Sequence, residues 1–216
     1  MTHRRCIFGA LSGLLCGFLL GVCYDQFRVS SKEKSDFVVE MDYNADGKPD
    51  SIIRYRNGVI ARAEHDRNYD GYPDAYEWYQ DGTVSQQESD DDFDGRKDCW
   101  VTYRDGQPWL FELDHDKNGL PDVFGYYQHG VVRMVVWRPN KSSNPTRLDF
   151  YEGGIKLKML QDTCGDGLFD LLVVYDTFEN PLREHKLEEP LTLNDAIAQL
   201  LPNLNDKRVL FHLGIR

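Results

Sequence analysis

Four short segments of the chain carry Asp or Asn at every second position, followed by a glycine. They are DYNADGKPD from Asp42, DRNYDGYPD from Asp66, DDDFDGRKD from Asp90 and DHDKNGLPD from Asp114. Calcium binds six to eight oxygen ligands, and carboxylate and amide oxygens at positions 1, 3, 5 and 9 of one tight turn point to a common centre. Glycine at position 6 permits the sharp bend that such a turn requires. The pattern therefore predicts a row of calcium sites.

The predicted ligands are the side chains at positions 1, 3, 5 and 9, with the backbone carbonyl at position 7 as a further ligand. We number the segments as loops one to four, at residues 42–50, 66–74, 90–98 and 114–122. The predicted side-chain ligands in these loops are Asp42, Asn44, Asp46, Asp50, Asp66, Asn68, Asp70, Asp74, Asp90, Asp92, Asp94, Asp98, Asp114, Asp116, Asn118 and Asp122.

Two later segments at the same spacing depart from this pattern. Loop five, residues 138–146, begins at Arg138 and has lost its carboxylates, so we expect it to bind no metal. Loop six, residues 162–170, keeps the predicted ligands Asp162, Asp166 and Asp170 but has Cys164 at position 3. Sulfur is a soft ligand that calcium does not favour. Whether loop six binds metal is left open by the sequence.

A glutamate stands two residues before each of loops one to four, at Glu40, Glu64, Glu88 and Glu112. Alternate residues of a strand share one face, so each glutamate lies on the side of the first Asp of its loop. Two interpretations follow: the glutamate completes the metal shell, or it is a solvated strand carboxylate.

The loops recur every 24 residues, and the rest of the unit is equally regular. Position 14 is tyrosine in all six units, and Asn-Gly or Asp-Gly stands at positions 16 and 17 in the first three. These dipeptides between β-branched and aromatic residues predict two-residue hairpin turns. Each unit is therefore a loop at positions 1–9, a strand at 10–15, a turn, and a strand at 18–24. The predicted fold is all-β, an antiparallel hairpin array of about six units with the calcium loops along one edge.

About a dozen strands exceed what a flat open sheet holds, so we expect twisting, coiling or curling towards closure. The tyrosines at position 14 and the bulky residues at position 11 fall on opposite faces and are expected to pack. Cys99 and Cys164 lie in units three apart, which argues against a disulfide in a linear array. Thr192 is a predicted helix N-cap, and the short helix after it should cover the last unit.

The first 23 residues form a separate region, with a basic head followed by 18 uncharged residues from Cys6 to Cys23. This pattern predicts a signal peptide or a membrane anchor, and Cys23 adds lipidation as a third alternative. The predicted organisation is 1–23 signal or anchor, 24–35 linker, 36–185 repeat domain and 186–216 C-terminal cap with a short helix. The expected location is extracytoplasmic, in the periplasm or at the cell surface, with the chain tethered to the membrane through its N-terminal segment.

The loops resemble the EF-hand calcium loop through position 9, and more closely the shortened loops of integrin-type and thrombospondin type 3 repeats. The resemblance implies calcium as the bound ion. Position 12, where the EF-hand has a bidentate Glu, is occupied by Ile53, Glu77, Val101 and Gly125. The hairpins resemble the bacterial variant of MORN repeats. Together these resemblances cover residues 42 to about 180.

The charge of the chain bears on its function. A formal net charge of −11 argues against a nucleic-acid partner, which requires a basic surface. The histidines of the chain show no zinc-binding spacing, and the chain has no nucleophile-elbow motif. We therefore expect that the protein is not an enzyme, with a glycoside-active enzyme as a remote alternative. The main prediction is a calcium-binding repeat protein with a structural or binding role. The alternative is a calcium-responsive interaction module, such as an adhesin or immunity-like factor, and the protein or glycan partner is unknown in either case.

Overall fold

The structure is a computed structural model that describes residues 35–139 and 143–214. The predicted signal or anchor at 1–23 lies outside the described residues, as does all but the last residue of the predicted linker. Within the described ranges no helix has the length and apolarity needed to cross a membrane.

Thirteen strands form one antiparallel sheet in which the spatial order equals the chain order. They are β1 (Phe37–Met41), β2 (Ser51–Arg56), β3 (Val59–His65), β4 (Ala75–Gln80), β5 (Thr83–Ser89), β6 (Cys99–Arg104), β7 (Gln107–Leu113), β8 (Val123–Gln128), β9 (Val131–Trp137), β10 (Arg147–Glu152), β11 (Ile155–Gln161), β12 (Phe169–Tyr175) and β13 (Pro181–Leu191). Helices α1 (Leu193–Leu200) and α2 (Lys207–His212) follow. The all-β hairpin array is confirmed. Among the described residues the strand order is linear from β1 to β13, and these two strands do not pair with each other.

The predicted strand boundaries are confirmed in the first five units. In each unit a leading strand at positions 10–15 is followed, after two turn residues, by a trailing strand at positions 18–24. Asn57 and Gly58 have φ of 51° and 73°, as a type I′ turn requires. The turns Asp81-Gly82, Asp105-Gly106, His129-Gly130 and Gly153-Gly154 have positive φ at both residues as well.

Every hairpin contains a register shift just before its tyrosine. In the first hairpin Arg54 pairs with Arg62, but Tyr55 pairs with Ile60, so Ala61 has no partner on β2. The same shift precedes the tyrosines at 79, 103, 127 and 151. An extra residue at position 20 is a β-bulge, which bends the strand and increases its local twist. Each repeat therefore contains a bulge that contributes to the twist expected for so many strands.

Apolar side chains pack on both faces in the C-terminal half of the sheet. Phe124 and Leu148, both at position 11, are fully buried against α1 and α2. On the opposite face Tyr127 and Tyr151, both at position 14, pack against a cluster that contains Phe111. Burial raises the pKa of Tyr127 to about 12. In this half of the sheet the two predicted columns are packing residues on opposite faces.

The C-terminal segment extends further over the sheet than predicted. Thr192 caps α1 through its side chain, and α1 packs on the sheet, as expected. However, β13 continues to Leu191, and α2 was not predicted. Asp206 accepts a hydrogen bond of 2.9 Å from Arg104 on β6. Nε2 of His212 forms a hydrogen bond of 3.1 Å with the carbonyl oxygen of Phe111 on β7. The segment therefore reaches back to the third unit and does not cover the last unit alone.

Candidate metal centre

The acidic loops form a row at one end of the strands, and the two-residue turns lie at the other end. Backbone hydrogen bonds of 2.8 Å connect successive loops, from Asp66 N to Asp50 O and from Asp90 N to Asp74 O. A third such bond runs from Asp114 N to Asp98 O. Because position 1 of each loop is bonded to position 9 of the loop before it, the loops are held in a fixed series.

Inside each loop the acidic side chains accept backbone hydrogen bonds. In loop three Asp90 accepts from Gly95 N at 2.8 Å, and Asp98 accepts from Asp91 N at 2.7 Å. At position 5 Asp94 accepts from Arg96 N at 2.8 Å. The position-1 carboxylates of the other loops accept equivalent bonds from Gly47, Gly71, Gly119 and Gly167. These bonds fix the carboxylates on the inside of the turn.

The loop backbone has two left-handed residues. The glycine at position 6 has φ near 90° in loops one to four, for example 90° at Gly95, as the sequence predicts. Position 4 is also left-handed, with φ of 63° at Phe93 and similar values at Ala45, Tyr69 and Lys117. A residue with a side chain is unfavourable in this conformation. The local hydrogen bonds outweigh that preference, and residue type alone did not indicate it.

Carboxylates at positions 1, 3 and 9 converge in loops three and four. Their oxygens lie within 4.8 Å of one another in two clusters, which are Asp90, Asp92 and Asp98, and Asp114, Asp116 and Asp122. Such a cluster can hold a metal ion. Asp94 at position 5 of loop three lies outside its cluster. The position-5 side chains Asp94 and Asn118 each accept a hydrogen bond from the backbone amide of position 7.

Loops one and two have the same hydrogen-bonded frame with an amide at position 3. Asn44 and Asn68 each accept a bond from the amide of position 5, as Asp92 and Asp116 do. An amide oxygen is a calcium ligand but carries no charge. All four predicted side-chain ligands of loop three are carboxylates, whereas loops one, two and four each have three carboxylates and one amide.

Loop six brings together a mixed set of donors. Asp162, Cys164 and Asp170 form a cluster within the same 4.8 Å limit, and Asp166 is outside it. The Thr163 hydroxyl donates to Asp170 at 2.6 Å and, with the Thr163 amide, lowers the pKa of that carboxyl to about 2. The cluster contains one thiol beside two carboxylates, which distinguishes it from the oxygen sites.

In loop five the arginine that replaces the first acid has a different role. Arg138 is buried, donates from Nη2 to the carbonyl of Leu213, and lies 5.0 Å from the centre of the Phe124 ring. Burial lowers its pKa. The guanidinium anchors the C-terminal segment, which agrees with a loop that has lost its metal ligands.

Two of the four glutamates before the loops lie near basic side chains. Glu64 is 3.2 Å from Arg62 and 3.5 Å from Arg54, and Glu112 is 3.5 Å from His212. The clusters of loops three and four contain neither Glu88 nor Glu112. The arrangement gives no support to the hypothesis that this glutamate completes a metal shell.

Basic side chains bridge neighbouring loops, a feature that the repeat pattern did not indicate. Arg67 in loop two donates to Asp91 at 3.1 Å and to the carbonyl of Asp90 at 2.6 Å. Lys117 in loop four donates to Asp92, and this bond lowers the pKa of Asp92. Burial raises the pKa of Asp98 in the same cluster, although two backbone amides oppose the effect. The amino group of Lys117 and a bound cation would therefore compete for the same carboxylate.

No protein-family model matches the sequence, and no curated protein matches it. Among solved structures, a crystal structure of accessory secretory protein 1, 2 and 3 in Streptococcus pneumoniae is similar over 47% of this chain. The identity is 19% and the TM-score 0.33, and the match spans 20% of that chain.

Proposed function

We propose that this protein is a calcium-binding repeat protein in which loops one to four hold the ions and the ions stiffen the sheet. The observation that carries the proposal is the convergence of the carboxylates at positions 1, 3 and 9 in loops three and four, within 4.8 Å. Carboxylate oxygens are hard donors of the kind that calcium binds. The calcium-loop resemblance of the sequence supports the same ion.

The placement of the loops supports a structural role. Each loop joins the trailing strand of one unit to the leading strand of the next, and each is bonded through its backbone to the loop before it. Crowded carboxylates repel one another, and a bound cation removes that repulsion. Because the loops already have an internal frame of hydrogen bonds, binding neutralises charge at the joints between units without refolding them.

The proposed location is extracytoplasmic, with the chain tethered to a membrane through residues 1–23. The basic head and the uncharged run of that segment support export, whether the segment is a cleaved signal, an anchor or a lipidated leader. Extracellular calcium modules have dissociation constants of about 10⁻⁴–10⁻³ M. Sites of that strength would be filled where free calcium exceeds these values and would act there as structural elements.

Calorimetric titration of the metal-stripped full-length chain with calcium, beside circular dichroism and small-angle scattering, tests the proposal. We expect weak sites, with dissociation constants of about 10⁻⁴–10⁻³ M, and little change in shape. Dissociation constants of about 10⁻⁷–10⁻⁵ M with a large change in shape would favour a calcium-responsive interaction module. The absence of any binding heat or spectral change would refute calcium binding itself.

A further inference from the structure

We propose that a cavity beneath the link between α1 and α2 binds a small aliphatic carboxylate, with the guanidinium of Arg133 holding the carboxylate group. The link comprises residues 201–206 and packs on the sheet face that the two helices cover. Gln128 lines the cavity and directly precedes the His129-Gly130 turn, so the site lies at the end of the strands opposite to the acidic loops. The proposal therefore concerns a site apart from the metal centre and does not depend on calcium binding.

The cavity has a polar side and an apolar side. Its polar side chains are Tyr126 and Gln128 of β8, Arg133 of β9 and Asn203 of the link. The other lining residues, at 200–202 and 204, are leucines and one proline. The cavity volume is about 130 Å³. Because an apolar cavity of about 150 Å³ accommodates benzene, this cavity has room for a ligand of about six non-hydrogen atoms.

The Arg133 side chain has no partner within the part of the chain that the structure describes. Its Nε atom is buried and forms no hydrogen bond, and no carboxylate there lies within ion-pair distance of its guanidinium. Asp206 is close enough to act on the Tyr126 hydroxyl, but it is paired with Arg104 at 2.9 Å. Buried polar groups in proteins nearly always have a hydrogen-bond partner. An anionic ligand would supply both the missing hydrogen bond and the opposite charge.

Arg133 departs from the repeat at the position where the hairpin has its bulge. Residues 134 and 132 of β9 pair with residues 126 and 127 of β8, so Arg133 is the extra residue between them. In the other four hairpins between β2 and β11 the equivalent residue is uncharged: Ala61, Ser85, Trp109 and Leu157. The bulge itself therefore does not require a cation, and the arginine is present in the hairpin whose bulge residue lines this cavity.

The lining of the cavity indicates the class of ligand. A guanidinium is planar and binds a carboxylate through two parallel hydrogen bonds. The Tyr126 hydroxyl and the amide groups of Gln128 and Asn203 can each donate a further hydrogen bond to an anion. The leucines of the opposite side offer apolar surface to a short hydrocarbon chain. A carboxylate with a chain of about four carbons fits both sides and the volume, whereas inorganic phosphate has no apolar part.

Titration of the full-length chain with butyrate, followed by amide NMR shifts, tests the proposal. Chelator is present throughout, so that no bound calcium ion can attract the carboxylate. We expect saturable shifts at residues 200–204 and at Arg133. Acetate should bind about tenfold more weakly, because it lacks two methylene groups that the leucines would cover. Butyramide, which has the same shape and no charge, should also bind about tenfold more weakly. No saturable shift with butyrate, or equal affinity for butyramide or for inorganic phosphate, would overturn the proposal.

Three variants separate binding from folding. Arg133→Met keeps an unbranched chain but removes the guanidinium, so butyrate affinity should fall by about tenfold or more. Its melting temperature without ligand should not fall, because the buried Nε has no partner to lose. Arg56→Gln is the matched control, since it removes one positive charge from an exposed side chain of β2 and should leave butyrate affinity unchanged.

Arg133→Lys keeps the charge without the planar fork, and butyrate affinity should be reduced in this variant as well. It tests the proposal even where Arg133→Met does not fold. Wild-type affinity in either variant at position 133 would show that the guanidinium does not hold the carboxylate. An equal loss of affinity in Arg56→Gln would show an effect of net charge alone, and it would contradict the proposal too.

Discussion

Replacing Asp98 with asparagine should stabilise the metal-free chain and reduce the stabilisation that calcium adds. Asp98, Asp90 and Asp92 form the acidic cluster of loop three, with their oxygens within 4.8 Å. Two unit charges at that distance repel by about 0.9 kcal/mol in water. Removing one of the three charges eliminates two of the three pairs, so Asp98→Asn should stabilise the metal-free chain locally by about 1–2 kcal/mol. The side-chain oxygen still accepts the bond from Asp91 N, so the loop frame is kept.

In calcium the gain from reduced repulsion should be offset by weaker binding. Calcium at one hundred times the dissociation constant stabilises a site by about 2.7 kcal/mol, and a tenfold weaker site loses about 1.4 kcal/mol of that. The calcium-induced increase in stability of loop three should therefore fall to about half in Asp98→Asn. Because the stability of a repeat array is approximately a sum of contributions from each repeat and its neighbours, the effect is expected to be strongest in the unit that contains the loop.

Native-state hydrogen exchange of the unit around loop three, with chelator and with calcium, measures both effects. The matched control is Asp105→Asn, which removes one charge at the opposite end of the strands from a turn that accepts asparagine equally well. The control should change neither value by more than a few tenths of a kcal/mol. If Asp98→Asn lowered stability equally in chelator and in calcium, the carboxylate would be only a structural hydrogen-bond acceptor and the reasoning would fail.

Two further changes test the fold around the site. Gly125→Ala should destabilise the chain by about 1–3 kcal/mol, because a Cβ would overlap the buried Phe111 ring. Denaturant unfolding measures this effect, and an unchanged free energy of unfolding would contradict the packing. Asp206→Ala should cost about 1–2 kcal/mol and Asp206→Asn less, because Asp206 caps α2 and pairs with Arg104. Burial acts to raise the pKa of Asp206, but hydrogen bonds from Arg104 and from backbone amides lower it overall. The greater stability of the wild type over Asp206→Asn should therefore be present above about pH 3.9, the ordinary pKa of an aspartate. It should disappear as the pH falls through the lowered pKa that Asp206 has in the folded chain. Melting curves from pH 7 to pH 2 with a constant difference would refute this.

The hairpin architecture was predictable because each unit is specified locally. Asn57-Gly58 and its equivalents demand one turn type, and position 14 repeats the same residue, so the boundaries of the strands follow from counting. The hydrogen-bonded loop frame was predictable for the same reason, since Asp at position 1 and Gly at position 6 act within one turn. In the hairpins, local turn preference and strand register agree.

Features that depend on neighbouring units could not be read from one repeat. The bulge at Ala61 arises from pairing across the hairpin, and the bridges from Arg67 and Lys117 to adjacent loops require the stacked geometry. Helix α2 is only six residues long, and most of its stability comes from packing on the sheet. The reach of the C-terminal segment to Arg104 is a contact across about a hundred residues, which no local pattern encodes.

Hydrogen exchange of the whole metal-stripped chain, followed by addition of calcium, tests the central claim most directly. The account predicts that calcium slows exchange of the backbone amides in loops one to four, at 42–50, 66–74, 90–98 and 114–122. Loop five, at 138–146, is the internal control and should not respond, because its first position is Arg138 and its carboxylates are lost. Equal protection of all five loops, or no calcium effect in any of them, would contradict the proposed metal sites.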